Sequence, residues 1–465
     1  MTLTACDFFC GMGGSSTGLV EAGFEVKVAA NHWGRAIETH SANHPDTEHL
    51  CADISQVDLR YLPTTDVLWA SPICTEISPA GGRARRRQSG AGLFEEYGHV
   101  AADAFDRTRV TFWEVIRAAE IHRYPAVLVE NVTEAATDWE LFPVWWAGME
   151  TLGYNLQLVS VSAAHVGDQH NPHAPQWRDR IYVVATRKGI PLPDVAPRPL
   201  AWCGRCELNV EAVQGWRPAD KSTITYGGQR VGKYGRQYHY YCPECRERVE
   251  PWVAPAADAI DWTDLGTRIG DRVRPLAART MARIRMGAEM IESGAFGFSM
   301  AHGGRARPHD LTGEPARTWT TGDTEGMALS PDAARAFVAT LRRNGRVHPV
   351  SEPLSGFTAG GFHHSLVVPF RKGATPHAVT DPLSTTATRS QHGVMHGNGG
   401  IDLDDWHFRM LRPREAANAQ RFPRSYVITG NQGEQQMQAG NAVAVNVAHW
   451  LGKQVGDALD GWVAA

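Results

Sequence analysis

An open, doubly wound α/β sheet is the fold predicted for the first 190 residues, and three observations predict it. Short apolar runs recur at Ala5–Phe9, Glu25–Ala30, Val67–Ala70 and Pro125–Val129, each of a length that suits a strand buried on both faces. Helical patterns stand between them, from Ser15 to Ala22 and from Arg107 to His122, where Val110, Trp113, Ile116 and Ala119/Glu120 fall at three-to-four spacing. Side chains able to do chemistry gather where the runs end, which is where open α/β sheets hold their ligands.

The first run leads into Cys10-Gly11-Met12-Gly13-Gly14 and then a helix. Glycines at such a turn let the backbone approach a ligand, and the helix start offers unpaired N–H groups. A tight turn alone explains a GxGG equally well. The second run ends at Asn31-His32-Trp33, and a third candidate strand ends at Asp53-Ile54. These are the edges where a doubly wound sheet holds a nucleoside.

The run Val67–Ala70 breaks at Ser71-Pro72 and presents Cys74 at the start of a loop. A thiol there is a candidate nucleophile, with a small buried core cysteine as the alternative. Arg83, Arg85, Arg86 and Arg87 follow, either a solvated face or a contact for a polyanion. The run at Pro125–Val129 ends at Glu130-Asn131-Val132, a carboxylate that either meets a heterocycle or caps a helix. Arg178 and Arg180 enter a further strand at alternating positions and are expected on one side of it. They suit a paired anchor for a base oxygen and a carboxylate, or a sheet-edge ion pair.

The chain has 465 residues, room for two or three domains. Its net charge of −4 excludes a globally basic nucleic-acid binder, so any such site is a local patch. No apolar run is long enough to cross a bilayer and no signal peptide precedes the first strand, so a cytoplasmic protein without a membrane partner is expected. Eight cysteines are too few for a disulfide scaffold in a chain of this size.

A proline-rich linker at Ile190–Pro199 precedes Cys203-Gly204-Arg205-Cys206 and Cys242-Pro243-Glu244-Cys245, two CxxC pairs 35 residues apart. That spacing points to a structural four-thiolate zinc ribbon. Tyr234, Arg236, Tyr238, His239 and Tyr240 between the pairs either touch DNA or cover a small core. Arg274 to Ala288 reads as a basic helix. Beyond it Glu314-Pro315, Glu352-Pro353 and Asp381-Pro382 lead into three Thr-rich repeats, with Glu325, His363 and His392 standing before short apolar runs. An irregular, mostly β domain is expected there. From Asp404 to Pro423 the pattern is helical, and Gln438 is expected to start the last helix, whose Val445, Val447, Ala448 and Leu451 pack back on the first sheet.

In this order DFFCGMGG, ADIS, SPICTEIS, VENV, QWRDR, RMLRPREAANAQRFP and QAGNAV resemble the cytosine-C5 DNA methyltransferase family, over about 190 N-terminal and 60 C-terminal residues. The resemblance implies a class I S-adenosylmethionine-dependent methyltransferase (Rossmann-like) sheet with a separate target-recognition domain. The domains read as 1–190 catalytic and cofactor-binding, 191–255 linker and zinc ribbon, 256–403 target recognition, and 404–465 returning to the catalytic domain. The resemblance further implies that Cys74 adds to C6 of a flipped-out cytosine, that Glu130 holds the base at N3 and its amino group, that Arg178 contacts O2 and that Arg180 orders the site. S-adenosylmethionine would meet Phe9, Gly11, Met12, Gly13, Gly14, His32, Trp33, Asp53, Ile54, Asn441 and Val443. Double-stranded DNA is the implied partner, with room for a cognate restriction endonuclease, and a monomer is expected.

Three departures stand against the family pattern. Ile73-Cys74-Thr75 replaces Pro-Cys-Gln, His32 stands where an acid is usual, and the loop after Cys74 is long. The second leaves room for a modified S-adenosylmethionine. An RNA cytosine transferase and an inactive DNA-binding relative are the other readings, and Cys74, Glu130 and Arg178 together argue against the last.

Overall fold

The computed structural model describes residues 2–73, 102–219, 223–261, 263–278, 280–282, 284–285 and 403–463, together with short strands between 296 and 396. The chain divides into two compact units. The first comprises Met1–Ser162, Asp179–Trp252 and Ala442–Ala465, and the second Ala163–Arg178 and Val253–Asn441.

The first unit is built on strands β1 (Thr4–Phe8), β2 (Glu25–Asn31), β3 (Glu48–Cys51), β4 (Val67–Ala70), β5 (Ala126–Asn131), β6 (Tyr154–Ser162) and, after the two-residue β7 (Gln176–Trp177) of the second unit, β8 (Asp179–Arg187). They form one seven-stranded sheet in the order β3-β2-β1-β4-β5-β8-β6. The first five run parallel, while β8 is antiparallel to both β5 and β6. This is the doubly wound sheet expected from the sequence, with β8 inserted before the edge. The start of β1 is tied to the turn before β4, because Thr4 donates both its N–H and its hydroxyl to Asp66 Oδ2 at 2.7 Å.

Helices α1 (Gly14–Glu21), α2 (Gly34–Asn43), α3 (Ala102–His122), α4 (Thr133–Asp138), α5 (Phe142–Thr151) and, later in the chain, Val445–Val463 cover the sheet. Phe112 of α3, Trp139, Phe142 and Trp145 stack into an aromatic core on one face, Phe112 and Trp139 having ring centroids 4.7 Å apart. The final helix packs on α1 through Gly18, where an added Cβ would stand 2.5 Å from Ala448 Cβ and from the Val445 carbonyl. Val445, Val447, Ala448 and Leu451 are all fully buried, as the apolar spacing required.

The cysteine-bearing segment also belongs to the first unit. It comprises β9 (Leu200–Cys203), β10 (Leu208–Glu211), β11 (Val213–Trp216), β12 (Thr225–Tyr226), β13 (Gln229–Arg230), β14 (Tyr238–Tyr241) and β15 (Arg248–Val249). These pair as three small antiparallel sheets, β10-β9, β11-β14-β15 and β12-β13.

Among its described residues the second unit carries the β structure expected of it. Its strands β16 (Thr267–Arg268), β17 (Phe296–Ser299), β18 (His309–Asp310), β19 (Glu325–Leu329), β20 (Leu366–Pro369), β21 (His377–Ala378), β23 (His392–His396) and β24 (His407–Met410) form one sheet, while β22 (Leu383–Ser384) pairs with β7. The apolar runs after the repeats become strands: β19 opens at Glu325, β23 at His392, and the two residues are partners in a parallel pair. His363 and most of the Thr-rich segments lie outside the described residues, and the helix expected from Arg274 is described only in part.

Two expectations near the C-terminus are corrected. The stretch from Asp404 to Pro423 is not continuously helical, because β24 lies within it and pairs with β16, β19 and β23. Three strand partners outweigh a local helical spacing. Only α6 (Pro413–Asn418) is helical there; Glu415 accepts from the Arg412 N–H at 2.7 Å and from Arg409 Nη2 at 2.7 Å, which fastens β24 to the helix. Gln438 does not start the last helix but lies near the end of α7 (Gln432–Asn441), and α8 begins at Val445.

Candidate functional site

The turn after β1 has left-handed backbone at Phe9 (φ 61°), Gly11 (φ 54°) and Gly13 (φ 100°). Phe9 is unusual there, since a side chain in that region is strained. Gly13 caps α1 without a side-chain cap, and of the first N–H groups of the helix that of Ser16 is bonded to the Asp7 carboxylate. A Cβ on Gly11 would meet nothing within 4 Å, so the backbone there faces open space. Met12, Gly13 and Gly14 are buried behind it. The turn is held by Asp7, fully buried, whose Oδ2 accepts from the Ser15 and Ser16 hydroxyls at 2.6 Å each. Burial pushes the Asp7 carboxyl up to about 6, and its Oδ1 is left without a partner.

The sequence reading missed Asp7 and what lies behind it. His40 Nε2 is 2.9 Å from Ser16 Oγ, and His40 Nδ1 is 2.8 Å from His49 Nε2. The Ser16 hydroxyl already donates to Asp7, so His40 Nε2–H donates to it and His40 Nδ1 accepts from His49. Burial, with His44 and His49 adding to it, holds His40 well below its usual value and so neutral. The histidines of HSANHPDTEH were the available signal, but their spacing alone matched no site.

The other predicted cofactor residues cluster at the same carboxyl edge. The Cys10 N–H donates to the Ala30 carbonyl at 3.1 Å, tying the turn to the end of β2, whose Asn31 is paired with Cys51 at the end of β3. His32 is exposed there, and Trp33 donates its N–H to Asn31 Oδ1 at 2.9 Å as α2 begins. Asp53 lies two residues past the end of β3 and accepts from the Ser55 N–H at 3.0 Å, ahead of the buried Ile54. The open backbone at Gly11 and the exposed polar strand ends fit a nucleoside cofactor. Val443 belongs to this unit, whereas Asn441 closes α7 in the other.

Beyond β4, the Pro72 carbonyl accepts from Asn131 Nδ2 at 2.9 Å and the Ile73 N–H donates to Thr111 Oγ1 at 3.1 Å. Cys74 and the arginines from Arg83 to Arg87 lie outside the described residues. Glu130 is the penultimate residue of β5, and Arg180 is the second residue of β8; Arg180 Nε donates to Glu130 Oε1 at 3.0 Å with both residues 8% exposed. Arg178, expected on the same strand face as Arg180, stands in the one-residue gap between β7 and β8 and belongs to the second unit.

Cys203, Cys206, Cys242 and Cys245 place their sulfurs within 4.8 Å of one another, with Cys203–Cys245 at 3.4 Å and Cys206–Cys242 at 3.9 Å. A tetrahedral zinc with Zn–S of about 2.3 Å needs sulfurs roughly 3.8 Å apart. The Cys206 N–H turned toward the Cys203 sulfur holds that thiol down to about 7, whereas the bond with Cys245 pushes the Cys206 thiol up and Cys245 is raised as well, so a bound metal would have to displace protons there. The four residues therefore fit a structural metal ion. Tyr238 and Tyr240 are fully buried beside them, so they cover the small core.

With this geometry in hand, comparison with known proteins is direct. The model of the family described as C-5 cytosine-specific DNA methylase matches residues 3–199 and 334–457, well over half of the chain. The type II methyltransferase M.HgiDI of Herpetosiphon aurantiacus is 29% identical over 192 residues, covering 39% of this chain and 52% of its own length. M1.ScrFI of Lactococcus lactis subsp. cremoris is 29% identical over 189 residues, covering 40% of this chain and 42% of that protein. The chain thus spans about half the length of the curated relatives it matches, or less. Among solved structures, a mutant of Spodoptera frugiperda DNMT2 aligns at a TM-score of 0.47 and 12% identity over 98% of this chain and 99% of that one. The Entamoeba histolytica methyltransferase EhMeth aligns at 0.47 and 11% over 99% of each chain. The family match agrees with the sheet and its strand-end residues: the chain belongs to the C-5 cytosine-specific DNA methylase family.

Proposed function

We propose that the chain is a DNA (cytosine-5)-methyltransferase that acts on a flipped-out cytosine through a covalent bond between Cys74 and C6. The observation that carries this reading is the buried Glu130–Arg180 pair at the strand ends beside the Pro72–Asn131 bond, in a chain of this family. C5 of cytosine is a poor nucleophile until C6 carries a removable adduct. The Cys74 thiolate forms the S–C6 bond while Glu130 holds N3 and the amino group and Arg178 meets O2. Arg180 fixes the Glu130 carboxylate. When bound, S-adenosylmethionine supplies an electrophilic methyl group. Once C5 is alkylated, loss of its proton expels the thiolate, so the enzyme is restored. A target inside a duplex must first leave the stack.

The cofactor would lie over Phe9, Gly11, Met12, Gly13 and Gly14, with His32, Trp33, Asp53 and Ile54 at the neighbouring strand ends and Asn441 and Val443 closing on it. The four cysteines would hold a structural zinc ion. Residues 256–403 would read double-stranded DNA, with 1–190 and 404–465 carrying the chemistry and 191–255 the metal. We place the protein in the cytoplasm as a monomer, and a cognate restriction endonuclease accords with the type II relatives. No described helix is long and apolar enough to cross a membrane.

Nucleoside mass spectrometry of DNA from cells expressing the protein tests the reading, with 5-methylcytosine expected. A heavier C5 substituent would replace the methyl donor by a modified one, and unmodified DNA would refute the activity. Cys74→Ala should abolish turnover and leave cofactor binding nearly intact, and a duplex carrying 5-fluorocytosine should trap the wild-type protein covalently.

A further inference from the structure

The cysteine-bearing segment does more than fold on itself. From Gly227 to Tyr234 it runs along β6, the edge strand of the large sheet. The Ser160 hydroxyl donates to the Arg230 carbonyl at 3.3 Å, the Gly232 N–H donates to Ser160 Oγ at 3.2 Å, and Gln214 Nε2 donates to the Ser160 carbonyl at 2.8 Å. Tyr226 adds its hydroxyl to the Ala136 carbonyl of α4 at 3.2 Å. A covered edge is one way proteins block unwanted strand pairing. That role accounts for the contacts on Ser160, but not for the two residues that follow.

Lys233 Nζ lies 2.6 Å from Glu134 Oε1 on α4, four residues beyond Glu130. Their side chains are 27% and 14% exposed, so the pair is mostly shielded from solvent. The Tyr234 N–H donates to Asp179 Oδ1 at 3.1 Å. Asp179 is the residue before Arg180, and its own carbonyl accepts from Arg180 Nη1 at 2.8 Å. Arg180 then donates to Glu130 at 3.0 Å. Tyr234 thus holds the Asp179 side chain, the Asp179 main-chain carbonyl holds Arg180, and Arg180 holds Glu130. Burial pushes the Asp179 carboxyl up, and the charge of Lys233 is the largest cause opposing it, followed by the Tyr234 N–H, Arg180 and Arg236.

Resting on the methyltransferase reading above, we propose that Lys233 and Tyr234 are positioning residues: the metal-stapled segment grips both ends of the Glu130–Arg180 pair, through Glu134 and through Asp179, and sets its geometry toward the base. The two grips lie on different elements, α4 and β8, which is what aligning one side chain against another requires. The folded state of the four-cysteine knot would then govern engagement of cytosine, while the cofactor turn at the far strands is left alone.

The test compares full-length wild-type protein, Lys233→Ala and Lys233→Arg, with and without a zinc chelator. Hydrogen exchange is followed in peptides covering Val129–Ala136 and Asp179–Tyr182, and covalent trapping on a 5-fluorocytosine duplex is measured beside S-adenosylmethionine affinity. Lys233→Ala should speed exchange at both peptides and slow trapping by about tenfold, with cofactor affinity unchanged and Lys233→Arg restoring most of the loss. Chelation should act on the same two peptides in the wild type, which keeps the test open if the alanine variant folds poorly. Exchange that changes only within residues 200–252, or trapping equal to wild type in Lys233→Ala, overturns the proposal. If exchange responds as described but wild-type protein never traps the duplex, the bracing stands and the methyltransferase reading fails.

Discussion

Arg180 reaches Glu130 on the diagonal. Glu130 is paired in register with Tyr182, two residues along β8, yet it is Arg180 Nε that meets its carboxylate at 3.0 Å. Long side chains span such diagonals across an antiparallel pair. Removing one partner of a buried pair leaves the other charge uncompensated, at a cost on the order of 3 kcal/mol. Arg180→Ala should therefore lower the melting temperature and abolish methyl transfer. Arg180→Met with Glu130→Gln should recover part of the stability and none of the activity, as calorimetry and turnover assays would show. A single Arg180→Ala variant as stable as wild type would mean the pair is not formed in solution.

The four cysteines should hold one zinc per chain. Elemental analysis of freshly purified, reduced protein checks the stoichiometry, and Cys203→Ser should lower it. Absence of metal in the native protein would rule out the site. Because Ser160, Glu134 and Asp179 all contact the same segment, loss of the metal should also lower the stability of the sheet's β6 edge.

Acid should act on the fold through two opposed sets of groups. Burial lowers His40 and His49 below their usual range and His44 to about 4. Their stabilising contribution is complete above pH about 6.5 and is lost as pH falls below it. Asp7 works the other way: its folded carboxyl titrates near 6 against 3.8, so the fold gains about 3 kcal/mol as pH falls across that window. Asp7→Asn removes the gain, and its melting temperature should fall more steeply than wild type between pH 6.5 and 4. Parallel pH profiles for the two proteins would show that Asp7 does not titrate in this window.

Gly18 lies where α1 meets α8. A methyl group there would collide with Ala448 Cβ and with backbone atoms of Val445 and His449 at 2.5–2.6 Å. Backbone cannot swing aside as a side chain can, so Gly18→Ala should destabilise by about 2 kcal/mol. Chemical denaturation measures it, and an unchanged midpoint would contradict the close packing of the two helices.

His32 is exposed just past the end of β2, and we propose that it stands where the family resemblance puts an acid. If it meets the ribose hydroxyls, His32→Glu converts a neutral hydrogen bond into a charge-assisted one, about 1 kcal/mol stronger, and S-adenosylmethionine should bind a few-fold tighter. Calorimetry reads this directly; weaker binding in the Glu variant would remove His32 from the ribose site.

Much of this architecture was written in local patterns. The runs at Val67–Ala70 and Glu25–Ala30 became β4 and β2, and the glycine turn became the left-handed loop before α1. Each CxxC pair is a knuckle set within four residues, so both were legible without knowing the fold, while their meeting is the work of the strands between them. Local spacing misled at Asp404–Pro423, where pairing with three other strands overrode a helical pattern in β24.

What the sequence by itself determined was the succession of strands along the chain, the glycine turn and each CxxC knuckle, since each depends on residues near one another in the chain. Tertiary structure alone decided that Arg180 pairs with Glu130, 50 residues away, that Lys233 reaches Glu134 across 99 residues, and that His40 meets the Ser16 hydroxyl that the buried Asp7 holds. Those meetings are fixed by strand register and burial, and neither leaves a periodic mark on the residues concerned.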